Sequence, residues 1–272
     1  MREHEIVANT RMPVTVSSLL RDLSALGVRE GDCVLVHSSL SSLGWVCGGP
    51  QAVVQALLGA VGEAGTIVMP AQSGDWSDPA EWSNPPVPKE WIDIIYREMP
   101  AFDPLVTPTR GMGRIAETFR TYPGTLRSGH PQVSFCANGS LAENLAADHP
   151  LTPQFGMASP LGKLYELPNA KVLLLGAGYD ACTSFHLAEA LLEDMPSKKM
   201  GTAVMDAGAR TWKWFEDFAY DSADFSLIGA ELDERGELPV RDKVGMADSR
   251  LFNLRAGVDA AREWLKTNRN NG

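Results

Sequence analysis

Two short runs, Cys33 to Val36 and Thr66 to Met69, apolar apart from Thr66, enclose a segment with helical spacing. Gly48-Gly49-Pro50 places a proline where a helix starts, and Gln51 to Val61 continues it with apolar Val53, Val54, Leu57 and Leu58. Runs this short and this apolar suit strands buried on both faces. Strand, crossover helix and second strand form the repeating unit of a sheet with parallel neighbours. Its ligand crevice lies at the carboxyl ends of the strands. The chain has 272 residues and carries no internal repeat, low-complexity tract or visible boundary, so one α/β domain over 1–272 is expected.

Other elements follow from the same signals. Val16, Leu19, Leu20, Leu23 and Leu26 predict a helix over 14–27 that Gly27 stops. Residues 71–110 are rich in Pro, Trp, Asp and Ser around one helical stretch, Trp91 to Glu98, and read as an irregular substrate-side insertion, a binding loop or lid. A helix is expected over 111–120 and a short one from near Ser140. Thr211 to Asp217 reads as a strand, Leu254 to Lys266 as a closing amphipathic helix, and Asn268 to Gly272 as a frayed tail.

The formal charge of −10 and the lack of any Lys/Arg cluster argue against nucleic acid. Acidic side chains gather at Glu216-Asp217, Asp221, Asp224, Glu231, Asp233 and Glu234. They suit a polyamine, or simply form a solvated surface. Cys33, Cys47, Cys136 and Cys182 form no CxxC pair, which signals neither zinc nor a disulfide scaffold. No run approaches the roughly 20 apolar residues of a membrane span, and no apolar signal core follows the charged start, so the cytoplasm is the expected location.

Chemistry concentrates where the apolar run Val172 to Leu175 breaks at Gly176-Ala177-Gly178 and enters a helical pattern carrying His186 and Glu189. Residues at i and i+3 share a helix face, so the carboxylate can orient the imidazole, giving a base and its orienter. With Thr183 as helix cap, the dipole would disfavour a positive charge on His186 while Glu189 favours one, and the balance stays open. The bland reading is a half-buried histidine on a helix that turns Leu187, Ala190 and Leu191 to the core. A second candidate, His37-Ser38-Ser39-Leu40, ends a buried strand, where amides and hydroxyls suit a carbonyl, a phosphate or a pantetheine arm. A serine hydrolase lacks its G-x-S-x-G turn here. A metal hydrolase using His37, His130 and His186 lacks short ligand spacing. An acetyl-cysteine route through Cys182 has only His186 near by to activate the thiol.

Taken in order, six segments resemble the aminoglycoside 3-N-acetyltransferases, from about Leu20 to about Ala260. They are Val36-His37-Ser38-Ser39-Leu40; Phe102-Asp103-Pro104 with Thr107-Pro108; Arg127-Ser128 with His130-Pro131; Ser159-Pro160-Leu161; Gly176 to Glu189; and Gly245 to Leu251. The resemblance implies a three-layer α/β/α fold around a largely parallel or mixed sheet, distinct from the GNAT acetyltransferases. The GNAT pyrophosphate motif is indeed missing, since Arg110 to Ile115 fails at its last position.

It implies acetyl-CoA as donor, the 3-amine of a 2-deoxystreptamine aminoglycoside as acceptor, antibiotic resistance as outcome, and no metal. His186 would be the general base, with Glu189 in the same site. His37, Ser38, Ser39, Leu40 and Ser41 would line the CoA cleft. Thr183 and Arg250 join them as candidates for the oxyanion and a phosphate. Asp103, Glu216 and Asp221 are the expected aminoglycoside ligands. Partners would be CoA and the cationic drug, not nucleic acid or membrane, with the chain a monomer or homodimer. Acetylation of another amine, or CoA binding without turnover, are the alternatives.

Overall fold

A computed structural model describes residues 3–236 and 238–269. Its strands are β1 (Cys33–Ser38), β2 (Thr66–Pro70), β3 (Leu126–Arg127), β4 (Phe135–Gly139), β5 (Ala170–Leu175), β6 (Ser197–Asp206), β7 (Ala209–Phe218), β8 (Val240–Val244) and β9 (Ala247–Asn253). Its helices are α1 (Glu3–Asn9), α2 (Val16–Leu26), α3 (Gly49–Val61), α4 (Lys89–Glu98), α5 (Gly113–Arg120), α6 (Ala142–Ala146), α7 (Pro160–Glu166), α8 (Phe185–Ala190), α9 (Phe225–Arg235) and α10 (Leu254–Arg269).

Seven strands form one sheet in the order β3-β4-β2-β1-β5-β9-β8. β1 runs parallel to both β2 and β5, and the pairings outward from these are antiparallel, which makes the sheet mixed. Because side chains alternate across a strand, Val34 and Val36 of β1 enter one core while Cys33 and Leu35 enter the other. The first core is closed by Leu19 and Leu23 of α2, Val53 and Leu57 of α3, and Ile115 and Phe119 of α5. The second is closed by Leu161 and Leu164 of α7, Phe185 of α8, Ile228 of α9, and Val258 and Leu265 of α10. This is the expected three-layer α/β/α arrangement. Each fully buried aliphatic side chain contributes about 1.5–3 kcal/mol of transfer free energy, so the doubly covered centre is where stability is concentrated.

Local signals set the boundaries. Thr15 and Ser18 form a reciprocal capping box at the start of α2, and Gly27, at φ 113°, ends it in the left-handed region. α5 starts later than expected because Gly111 holds a φ of 73°, outside the helical region. The expected tail is corrected as well. Asn268 and Arg269 belong to α10, held by ion pairs of Arg269, while residues 270–272 lie outside the described residues.

The strand expected at Thr211 to Asp217 is β7, and it pairs only with β6, in a separate two-stranded ribbon. The 71–110 insertion packs on that ribbon. The Tyr96 ring lies 4.8 Å from Trp212 and 5.5 Å from Trp214, and Arg210 Nε donates to Met99 O at 2.8 Å. Arg127 staples the insertion to the sheet. Its guanidinium donates to Thr107 O, to Ala71 O at 2.6 Å and to Ser73 Oγ at 2.8 Å, and covers the Phe102 ring. Burial lowers its pKa to about 10.

Candidate active site

The chain leaves β1 toward α3 on one face of the sheet and leaves β5 toward α8 on the other, so the loops diverge at the carboxyl ends of two adjacent parallel strands. Such a switch point opens a crevice. Its floor is tied by Ser39 N donating to Leu175 O at 3.0 Å and Ser42 Oγ donating to Gly176 O at 3.2 Å. Gly176 sits at φ 66°, and a Cβ there would stand 2.7 Å from Ser42 Cβ and 2.9 Å from Ala247 Cβ, so only glycine makes this turn.

The crevice has two lobes. The inner one, about 300 Å³, is lined by His37, Ser38, Gln72, Asp180, Thr183, His186 and Ser222 among others. The outer one, about 510 Å³, is lined by Ser38, Ser39, Leu40, Ser41, Trp45 and Arg114. Ser38, Gly111 and Met112 border both lobes, which makes them one cleft.

His186 Nδ1 lies 2.5 Å from Glu189 Oε2. An ionised carboxylate there accepts from Nδ1–H, so the proton sits on Nδ1 and the lone pair on Nε2. Nε2 has no hydrogen-bond partner among the described residues, and His186 lines the inner lobe. Phe155 stacks on the imidazole at 4.7 Å and 13°, Phe225 tilts against it at 4.8 Å, and Tyr220 meets it edge-on at 5.6 Å. Glu189 is fully buried, and its Oε1 accepts from Asp221 N at 3.0 Å and from Arg269 Nη1 at 2.5 Å. A buried carboxylate persists only when paired in this way. Neither Asp221 N nor Arg269 carries any local sequence signal of this contact.

Thr183 lines the inner lobe but does not cap α8. Ser184 holds that position without a side-chain bond, because the chain enters through the short turn at Tyr179–Ala181. With six residues, α8 sums few peptide dipoles, so Glu189 dominates the electrostatics at His186. His37 is buried beside them, its Nε2 without a partner. Burial first, and the neighbouring His186 second, lower its pKa to about 3, so it stays neutral. Ser39, Ser41 and Ser42 form a hydroxyl chain, with Oγ–Oγ separations of 3.3 and 2.9 Å about Ser39.

Four expected ligands fall elsewhere or act through their backbone. Arg250 lines neither lobe. Its guanidinium grips Asp233, at 3.1 Å from Nε and 3.0 Å from Nη2, and lies over the Tyr179 ring. Asp103 spends its Oδ1 on Leu105 N within its own turn. Glu216 stands on the exposed ribbon opposite Lys199. Asp221 holds Glu189 with its amide, while its carboxylate accepts from Ala223 N. The lining residues missed by the sequence reading include Gln72, Asp180, Ser222 and Arg114. Arg114 follows a Gly-Met-Gly turn and makes no ion pair or hydrogen bond among the described residues, so a lone cation opening a helix was the available signal.

Two rival chemistries lose their groups. His130 Nδ1 accepts from Gln132 N and Val133 N, both at 3.1 Å, and Nε2 donates to Leu151 O, which leaves no lone pair for a metal. Among the described residues no cluster of three or more His, Cys, Asp or Glu is arranged to hold a metal ion. Cys182 is buried, and burial raises its thiol pKa to about 12, which keeps it protonated. Among the described residues no helix is long and apolar enough to cross a membrane.

Residues 35–266 match the sequence profile of the aminoglycoside 3-N-acetyltransferases. The chain belongs to the aminoglycoside 3-N-acetyltransferase family. Members of this family are acyltransferases, and their solved structures share the present fold rather than the GNAT one. The chain is 47% identical over 97% of both chains to a prophage-derived aminoglycoside N(3')-acetyltransferase-like protein, YokD, of Bacillus subtilis. The crystal structure of YokD superposes with a TM-score of 0.96 over 99% of each chain. It is 37% identical to aminoglycoside N(3)-acetyltransferase VII of Streptomyces paromomycinus, over 98% of this chain and 96% of the relative. A structure of AAC-IIIb in binary complex with CoASH matches with a TM-score of 0.82 at 34% identity, over 94% of this chain and 97% of that one.

Proposed function

We propose that this family member transfers the acetyl group of acetyl-CoA to the 3-amine of a 2-deoxystreptamine aminoglycoside and thereby confers resistance to it. The observation that carries the reading is a histidine that lines a two-lobed cleft and is oriented through Nδ1 by a buried glutamate. The CoASH complex of a relative and the activity in the name of the Streptomyces paromomycinus enzyme support the two substrates.

The outer lobe suits CoA, since serine hydroxyls and the uncommitted Arg114 can meet phosphate and pantetheine amide groups. The inner lobe suits a protonated amine, with Asp180 on its wall. Acetyl-CoA supplies the thioester carbonyl. An amine attacks only as its free base, so Nε2 of His186 takes the proton from the nitrogen as the N–C bond forms, in a ternary complex. His37 and the Thr183 hydroxyl are uncharged donors on the same wall for the oxyanion. When the C–S bond breaks, the imidazolium returns its proton to the departing thiolate. General-base help of this kind contributes about 10²- to 10⁴-fold in rate, and Glu189 favours the transient imidazolium. The same proposal places the protein in the cytoplasm, where acetyl-CoA is available, as a monomer or homodimer.

A second reading, acetylation of another amine, is favoured by one observation: Asp103 and Glu216 do not line the inner lobe, and Asp180 is its one lining carboxylate among the described residues. Thiol release from acetyl-CoA against a panel of aminoglycosides, with NMR mapping of the product, decides between them. Acetylation at the 3-amine supports the first reading. Turnover confined to other amines supports the second.

A further inference from the structure

Arg269, the last residue of α10, closes that helix against the back of the His186 site. All three of its guanidinium nitrogens are used. Nη1 donates to Glu189 Oε1 at 2.5 Å, and Nε and Nη2 grip the two oxygens of Asp224 at 2.6 and 2.7 Å. Nη2 also donates to Asp221 O at 2.6 Å. One side chain thus joins the carboxylate behind His186 to the segment carrying Ser222, which lines the inner lobe.

We infer that Arg269 is a positioning residue for acetyl transfer: it holds the Glu189 carboxylate so that Oε2 meets His186 Nδ1, and anchors the Asp221–Asp224 wall of the inner lobe. The inference rests on the reading of His186 as the base. Its physical content is that Glu189, fully buried, has three donors: the imidazole from α8, the Asp221 amide from the loop before α9, and the guanidinium from α10. Removing the guanidinium strips a buried carboxylate of its permanent cation and frees Oε1 to swing away from its present plane. The two-point grip on Asp224 leaves the arginine itself no such freedom. Burial alone would lower the Arg269 pKa. The hydrogen bonds to Asp224 and Glu189 overcome that and raise it, so the cation is permanent. Buried Leu254, Val258, Ala261 and Leu265 anchor α10 independently of it.

The test compares Arg269→Gln, Arg269→Lys and Arg269→Ala with His186→Ala in the full-length protein, by steady-state kinetics, CoA affinity and thermal melting. Arg269→Gln is expected to lower kcat by about 10- to 100-fold, with CoA affinity within about twofold of the parent. Lysine, which can replace the charge but not the fork, should fall between, and added guanidinium should restore part of the Arg269→Ala rate. Arg269→Gln at parental kcat while His186→Ala is inactive overturns the inference and leaves the base standing. Loss of rate, CoA affinity and melting temperature together, without rescue by lysine or guanidinium, reduces Arg269 to a structural tie and overturns it as well. Full activity of His186→Ala removes the base itself, and the inference with it.

Discussion

His186 and Glu189 stand one helical turn apart with Nδ1 and Oε2 separated by 2.5 Å, and the imidazole is clamped between Phe155 and Phe225. The ring therefore has one tautomer and one orientation, which puts its basic nitrogen at the junction of the sheet's parallel strand ends. Substituting Glu189 by Gln leaves the shape but loses the charge and the defined tautomer. We expect kcat to fall by about 10²-fold or more with the KM for acetyl-CoA little changed, measured by thiol release. Unchanged kcat would mean that Glu189 serves only the fold.

Three imidazoles, buried His37 and His130 and half-buried His149, are neutral, with pKa values lowered from 6.5 to about 3, about 3 and about 4, in each case first by desolvation. In the unfolded chain they bind protons as soon as the pH falls below about 6.5, while the fold cannot follow. The stability they contribute is fully present above that pH and is lost between about 6.5 and 3, at roughly 1.4 kcal/mol per pH unit for each histidine. Urea unfolding at about pH 7.5 and about pH 5 should show a clearly lower midpoint in acid, and a His149→Gln variant a shallower dependence. A pH-independent midpoint contradicts the account.

Cys182 is held protonated by burial, so the acetyl group has no route through it. Cys182→Ser should keep turnover within about threefold, and initial-rate patterns should be sequential rather than ping-pong. An acetylated Cys182 trapped with acetyl-CoA alone would reverse this conclusion.

Arg114 lines the outer lobe without an ion pair among the described residues, so its charge can meet a phosphate. Arg114→Ala is expected to raise the KM for acetyl-CoA about tenfold with kcat nearly unchanged, an effect that shrinks as salt rises. An effect on kcat alone would place CoA elsewhere.

Arg127 ties four parts of the chain through Ala71 O, Ser73 Oγ, Thr107 O and Ser134 Oγ. Arg127→Met should cost about 3 kcal/mol, because several acceptors lose a charged donor at once, and denaturant titration measures it directly. A loss below about 0.5 kcal/mol would mean that the insertion is held by its Trp and Tyr packing instead.

The sequence spoke clearly where physics is local. β1, β2 and β5 are buried on both sides, so nothing but apolar residues fits their centres, and the His186–Glu189 pair lies within one turn of helix. β3 has two residues and β8 is exposed along most of its length, so neither leaves a hydrophobic pattern to read. Arg250 on β9 is engaged by Asp233, which arrives on α9, and no local pattern in the sequence records that pairing. Arg269 went unnoticed for the same reason: its partner Glu189 is 80 positions away, and no periodicity records such a contact.

The most direct test of the central claim is the rate of acetyl transfer by His186→Ala against the parent, with acetyl-CoA, an aminoglycoside that the parent acetylates at its 3-amine, and CoA affinity measured on the same protein. The account expects a loss of about 10²- to 10⁴-fold in kcat with CoA affinity retained. Parental turnover by that variant would contradict it.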